Sequence, residues 1–348
     1  MRFIGSKASL LGEIAALVDG VTDGRERVFC DMFAGSGAVA RHFKPRYQII
    51  ANDRMYFSYA MLRAMVGNNR VPDFGALAAA GIADPLAFLA TAALPDRPLG
   101  APDTFVATHF APNATCKRMY FTPENARRID FARSRLDQWR ADGLLDDASS
   151  FYLLGCVVEG LPFVSNITGT YGAYLKHWDA RALKPYAPVA LPVIDNGQDN
   201  ACHNEDAATL IQRLRGDILY LDPPYNGRQY LPNYHVLETI ARYDAPVLRG
   251  VTGTRNCAAE KSAYCNKATA LAALDDLVAR AQFRHVIVSY SSDGVMAIAD
   301  IADLLRRHGV SASLRVHKLA YRKYKSKVVA PDDRLSEYLF YVAKDIVA

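Results

Sequence analysis

An α/β fold, a largely parallel sheet with helices on both faces, is predicted by three features of this 348-residue chain. Apolar runs of strand length alternate with helical patterns over residues 1–66 and again from about 202 to the end, as in a parallel sheet. Three of those runs stop at acids, where open α/β sheets bind ligands: Val28-Phe29-Cys30 at Asp31, Tyr47–Ala51 at Asn52-Asp53, and Asp217–Leu221 at Asp222. After the first run, Met32-Phe33-Ala34-Gly35-Ser36-Gly37 permits a tight strand-to-helix turn, because glycine reaches backbone angles that other residues avoid.

In chain order, Leu10-Leu11, Ile14 and Leu17-Val18 recur with helical period after Ser9, which reads as the cap. Residues 67–200 change character. Ala76 to Ala93 is alanine-rich and reads as a helix, and Thr122-Pro123-Glu124 introduces an amphipathic helix with a crowded basic face from Arg127 to Arg140. Proline and turn residues at 95–102 and 185–198 read as loops. Beyond them come a helical stretch holding His235, a helix over Leu271–Val278, and strands over Arg284–Tyr290 and Glu337–Val342. His235 reads as structural or substrate-adjacent.

Asp222-Pro223-Pro224-Tyr225 carries the most chemistry. The prolines lack N–H donors and stiffen the turn, leaving the Asp222 carboxylate and the Pro223 carbonyl as acceptors beside the Tyr225 ring. Such a set suits an aromatic amino group: two acceptors for two N–H bonds, and a ring for the base to stack on. A strand-ending turn with a buried tyrosine is the plain alternative. The Phe33-x-Gly35-x-Gly37 turn lacks the third glycine of the dinucleotide fingerprint, so a nucleoside cofactor without phosphates fits it better. Asp53 is then placed to accept from ribose hydroxyls.

Four stretches, taken in this order, resemble the Dam-type (group α) adenine-N6 DNA methyltransferases. They are Arg2–Lys7, Asp31–Gly37, Asn52-Asp53, and Asp222–Tyr225 trailed by Tyr234–Ile240. The resemblance covers the first 60 or so residues and most of the chain after residue 200, and the middle does not visibly match. It implies a Rossmann-like S-adenosylmethionine-dependent methyltransferase sheet formed by 1–66 plus 201–348, with a mostly helical target-recognition domain inserted at 67–200. It implies S-adenosyl-L-methionine as cofactor, with Phe3 and Lys7 along its methionine and adenosine side, Asp53 on the ribose and Asp206 near the adenine. Asp31 would reach the methionine amino group, and Phe33, Gly35, Gly37 and Asp222 complete that site. Asp206 reads almost equally as a helix N-cap, and Asp31 also as a carboxylate binding the N–H groups of the glycine turn. Catalysis would fall to Asp222, Pro223, Pro224 and Tyr225, which orient the amino nitrogen of a flipped adenine for direct transfer.

Composition sets the remaining expectations. With 51% hydrophobic and 22% charged residues the chain can bury a large core. A formal charge of +5 is compatible with a polyanion. Double-stranded DNA is the expected partner, with Arg228 for phosphate and Tyr230 for stacking after the tetrapeptide, and phosphate contacts at Arg322, Lys323 and Lys325 in the basic run Arg315–Lys327. A cognate restriction endonuclease is a further expected partner, and a monomer is sufficient for methylating one site. The six cysteines form no Cys-x-x-Cys pair or Cys/His cluster, so no metal is expected and they read as reduced thiols of a cytoplasmic protein. No apolar run approaches membrane-spanning length. The alternatives are a non-catalytic DNA-binding protein on the same fold, or a methyltransferase acting on RNA adenine or a protein amide. A nicotinamide-dependent oxidoreductase is the weakest, because it leaves the Asp-Pro-Pro-Tyr element unexplained.

Overall fold

The computed structural model describes residues 5–227, 229–320 and 336–345. Phe3, Arg228, Arg322, Lys323 and Lys325 lie outside the described residues. The chain divides into two compact units, one drawn from Lys7–Arg54, Gln198–Gln229 and the residues from Lys261 onward, the other from Met55–Gly197 and Tyr230–Glu260 with Gly5 and Ser6. The principal helices are α1 (Leu11–Asp19), α2 (Ala38–Phe43), α3 (Tyr56–Leu62), α4 (Pro123–Ala141), α5 (Asp147–Gly160), α6 (Leu231–Arg242), α7 (Ala270–Arg280) and α8 (Ile298–His308). No described helix is long and apolar enough to cross a membrane.

The first unit holds one seven-stranded sheet. Its strands are β1 (Val28–Asp31), β2 (Gln48–Asn52), β3 (Ala201–His203), β4 (Arg215–Leu221), β5 (Gln282–Ser291), β6 (Arg315–Ala320) and β7 (Ser336–Ala343), in the order β3-β2-β1-β4-β5-β7-β6. β1 to β5 are parallel, whereas β7 runs antiparallel to both its neighbours, the one departure from the predicted parallel arrangement. Both faces are covered. Phe43 of α2 stacks on Phe29 at 4.3 Å. Cys30, the next residue of β1, faces the opposite core with Leu219, Leu221, Val286 and Val288, against Leu274 and Leu277 of α7 and Leu304 and Leu305 of α8. Double-sided burial explains why β4 reads as a continuous apolar run rather than an alternating one. Strand order reverses between β1 and β4, which makes their carboxyl ends the switch point where such sheets bind ligands.

Two local expectations are corrected in detail. Ser9 does not cap α1; it closes a 3-10 turn over Lys7–Ser9, and α1 begins after Leu10 without a side-chain cap. The alanine-rich stretch is two short helices, Gly75–Ala79 and Pro85–Thr91. Gly81, at φ +88°, turns the chain after the first, and Asp84 caps the second by accepting from the Ala87 N–H at 2.9 Å.

The second unit is mainly helical. α3 continues into a π turn (Arg63–Gly67), and α3, α4, α5 and α6 share one apolar cluster that includes Phe57, Ile129, Leu153, Val157, Leu237 and Ile240. Glu238 of α6 accepts from the N–H groups of Tyr56 and Phe57, both at 3.0 Å, and so satisfies the orphan donors at the start of α3. These contacts place α3 and α6 with the helical unit, so its bounds differ from 67–200. Thr122 caps α4 through the Asn125 N–H at 3.2 Å, and three of the helix's arginines are engaged within the protein. Arg128 donates to the Ala92 carbonyl (2.6 Å), buried Arg133 to the Ile240 carbonyl (2.8 Å), and Arg140 pairs with Asp147 (3.1 Å).

Asp217 joins three strands near their amino ends. Its Oδ2 accepts from the Arg27 and Val28 N–H groups at 2.7 and 2.9 Å, and its Oδ1 pairs with Arg284 at 2.6 Å. Burial pushes this carboxyl up, but the two amides and the guanidinium outweigh it and hold it below the usual range. Its contribution is therefore complete above the unfolded value of about 4 and fades as pH falls through the depressed folded value. Asp217→Ala is expected to cost about 2 kcal/mol at neutral pH, and denaturant titrations should show the gap to wild type narrowing below about pH 4.

Candidate active site

The turn after β1 is fastened to both neighbouring strands. The Met32 N–H donates to the Tyr220 carbonyl (3.1 Å) and the Ala34 N–H to the Asn52 carbonyl (2.9 Å). Gly35 and Gly37 lie at φ +53° and +73°, a region in which a side chain is strained, and Gly37 opens α2. Asp53 braces the turn, accepting the Gly35 N–H on Oδ2 at 2.8 Å. Asp31 accepts from the Ala40 N–H of α2 at 3.1 Å, and the Phe33 N–H of the turn also favours its ionised form. Its other oxygen, Oδ1, is buried without a partner. Burial, reinforced by the charge of Asp222, pushes the Asp31 carboxyl up to about 8.

Asp222 follows β4 directly and is 16% exposed. Its Oδ1 pairs with Lys7 Nζ at 2.9 Å, and the same ammonium lies 3.3 Å from Glu337 Oε1 on β7. Glu337 Oε1 in turn accepts from the Ser289 hydroxyl of β5 at 2.9 Å. Lys7 is 4% exposed, yet its two acids keep it charged. Burial pushes Asp222 up, Lys7 pulls it down and Glu337 pushes it up again, leaving it at about 6. Pro223 is buried, and among the described residues no hydrogen bond to its carbonyl is found. Tyr225 is pinned through its carbonyl by the Val295 N–H (2.8 Å). Its ring meets Tyr290 edge-on at 6.5 Å with Lys7 Nζ 5.7 Å from its centroid.

The other expected residues divide. Phe33 packs edge-on against Tyr264 at 5.1 Å. Asp206 is exposed, caps the short helix Ala207–Leu210 through the Ala208 N–H (3.0 Å) and pairs with Arg54 (2.9 Å). Tyr230 immediately precedes α6 and belongs to the helical unit, as does His235. His235 is buried against the Tyr171 carbonyl (2.9 Å) and burial lowers it to about 4, so it is a neutral structural group. Among the described residues no group of three His, Cys, Asp or Glu side chains could hold a metal. Sequence reasoning missed Glu337, Ser289 and Tyr290. Only Glu337 left a signal, a charge within the apolar strand run Ser336–Ala343.

The model of the D12 class N6 adenine-specific DNA methyltransferases matches residues 3–298. The Type II methyltransferase M.FokI of Planomicrobium okeanokoites is 46% identical over 99% of this chain and 53% of its own length. The modification methylase StsI of Streptococcus sanguinis is 40% identical over 99% of this chain and 52% of its own. This chain therefore spans about half the length of those two relatives. The Type II methyltransferase M.NlaIII of Neisseria lactamica is matched nearly end to end, 33% identical over 94% of this chain and 93% of its own length. A mostly parallel sheet of seven strands, the glycine turn after its first strand and these matches agree: the chain belongs to the D12 class N6 adenine-specific DNA methyltransferase family.

Proposed function

We propose that this chain moves the methyl group of S-adenosyl-L-methionine to N6 of an adenine flipped out of duplex DNA, as the modification enzyme of a restriction–modification pair. The observation that carries the reading is the pair of acceptors at the end of β4: a largely buried Asp222 held by Lys7, next to the Pro223 carbonyl and the Tyr225 ring. The names of its relatives, type II methyltransferases and a modification methylase, support a cognate endonuclease as partner. The sheet unit would carry cofactor and chemistry, and the helical unit would recognise the target. All the residues named come from one chain, so a monomer suffices.

The residues around the glycine turn fit the cofactor. Asp31 has an unpartnered buried oxygen that an ammonium would suit, Gly35 and Gly37 allow close backbone approach, and Asp53, beside the turn at the end of β2, is the acid expected to take the ribose. When bound, S-adenosylmethionine supplies an electrophilic methyl on a sulfonium. The protein has to orient a poor nucleophile, since the lone pair of the adenine amino group is delocalised into the ring. Hydrogen bonds from its two N–H groups to Asp222 and to the Pro223 carbonyl favour a pyramidal nitrogen with its lone pair aimed at the methyl carbon. These two acceptors would hold the nitrogen in line with the methyl group that the sulfonium would give up, and the Asp222 carboxylate, already hydrogen-bonded to that nitrogen, would be the nearest acceptor for the proton the nitrogen must lose. Orientation supplies much of the acceleration, and the Asp222 carboxylate steadies the positive charge that grows on nitrogen. Tyr225 offers the stacking face for the extrahelical base.

Methyl transfer from labelled S-adenosylmethionine to mixed genomic DNA, followed by nucleoside analysis, tests the reading. N6-methyladenine is the expected product. Asp222→Ala should lower the transfer rate by on the order of 10²–10³-fold while calorimetry still shows cofactor binding. Full activity in that variant would sink the mechanism.

Asp31 gives a second test. Its folded value of about 8 lies above the unfolded value, so the ligand-free fold holds a proton that the unfolded chain releases. Stability should therefore fall as pH rises from about 4 to about 8 and level off above that. Asp31→Asn should flatten this slope in thermal unfolding and weaken cofactor binding by about tenfold or more, the worth of one charged hydrogen bond. An unchanged slope together with unchanged affinity would exclude the role.

A further inference from the structure

Glu337 lies outside every motif that carries the resemblance, yet it touches the centre of the site. It is 3% exposed, with Oε1 bonded to the Ser289 hydroxyl and 3.3 Å from Lys7 Nζ, which reaches Asp222 at 2.9 Å. The order is hydroxyl, carboxylate, ammonium, carboxylate. We propose that Glu337 is a positioning residue for methyl transfer, anchoring Lys7 between two acids so that its ammonium neither neutralises Asp222 nor takes up the oxygens needed by the adenine amino group. This inference rests on the adenine-methyltransferase reading.

A buried ion pair alone would be a poor arrangement for an acceptor. With Asp222 as its main acid, Lys7 would pull the carboxylate toward itself and weaken the hydrogen bonds Asp222 can accept from substrate. A second carboxylate divides the ammonium's donors. Ser289 fixes that carboxylate, so the division is geometric rather than statistical. Among the described residues, the other charged or titratable groups whose fields reach this cluster are Asp31 at the end of β1, Tyr220 on β4, Tyr225, and Asp293 after β5. Among the described residues these two acids and two phenols add no positive charge, and Lys7 is the cation that touches both Asp222 and Glu337. As a stabilising device the cluster is weak, because buried pairs are often matched or exceeded by apolar packing. Its value lies in the state it imposes on Asp222.

Glu337→Gln keeps the shape and the hydrogen bond from Ser289 but removes the charge. The plateau kcat should fall by about tenfold or more, with KM for cofactor and DNA little changed, as expected when a charge-assisted hydrogen bond in the transition state is weakened. The acid limb of the kcat profile should also move to lower pH, because a like charge has left the surroundings of Asp222. Glu337→Asp, which restores the charge, should return the limb toward its wild-type position. If wild type methylates adenine but the limb of Glu337→Gln stays where it was, the inference is overturned and the activity reading stands. If wild type moves no methyl group to adenine, the reading fails and the inference with it. Should Glu337→Gln not fold, Ser289→Ala takes its place: kcat lowered at unchanged KM supports the positioning role, and an unchanged kcat removes it.

Discussion

Because the sheet reverses its order between β1 and β4, Asp31 and Asp222 leave adjacent strands at the same end, both largely or wholly removed from water. Two unit charges a few ångströms apart repel by about 3–4 kcal/mol even at an effective dielectric of about 20. The pair cannot ionise freely, and the structure resolves the conflict unequally. Asp222 recruits Lys7 and is left at about 6, anionic near neutral pH, whereas Asp31 pairs with no cation among the described residues and is held up at about 8. One acid is thereby equipped to accept hydrogen bonds, and the other keeps a buried oxygen without a hydrogen-bond partner. Two like side chains acquire different chemistry from their surroundings alone.

What could be read from the sequence follows the range of each interaction. β1, β2 and β4 ended where their apolar runs met an acid, and the glycine turn, Asp53 and the tetrapeptide fell at the carboxyl ends of those strands, because such signals are local. Glu337 was not legible, since its partners Lys7 and Ser289 are far from it in sequence and only the strand order brings them together. The partners of the α4 arginines were hidden for the same reason. Arg133 is held by the Ile240 carbonyl, more than a hundred residues away. Alanine content predicted helix over 76–93 correctly in kind, but the break at Gly81 and the cap at Asp84 divide it.

Charged side chains inside the helical unit are mostly structural. Glu238 ends its helix donors' search for partners at Tyr56 and Phe57, and Asp130 does the same for Val106 and Ala107, at 2.8 Å each, with the Tyr243 hydroxyl at 2.7 Å. Burial raises Asp130 to about 7 despite those bonds. Such acids substitute for the short caps that local sequence would supply, so α3 and the short helix Phe105–His109 begin where a distant carboxylate dictates.

The connectivity between the two units adds a constraint that neither shows alone. The chain passes from one to the other between Ser6 and Lys7, between Arg54 and Met55, and between Gln229 and Tyr230, as well as at 197/198 and 260/261. The first three crossings abut the site: Lys7 is itself a crossing residue, Asp53 stands one residue before the second, and Tyr225 precedes the third by a short run. At the last of these the sheet side is anchored, since the Gln229 side chain both donates to the Ser262 carbonyl (3.2 Å) and accepts from its N–H (2.8 Å). Asp53 and Tyr225 thus stand far apart in sequence because the chain leaves the sheet unit after Arg54 and re-enters it at Gln198, between them.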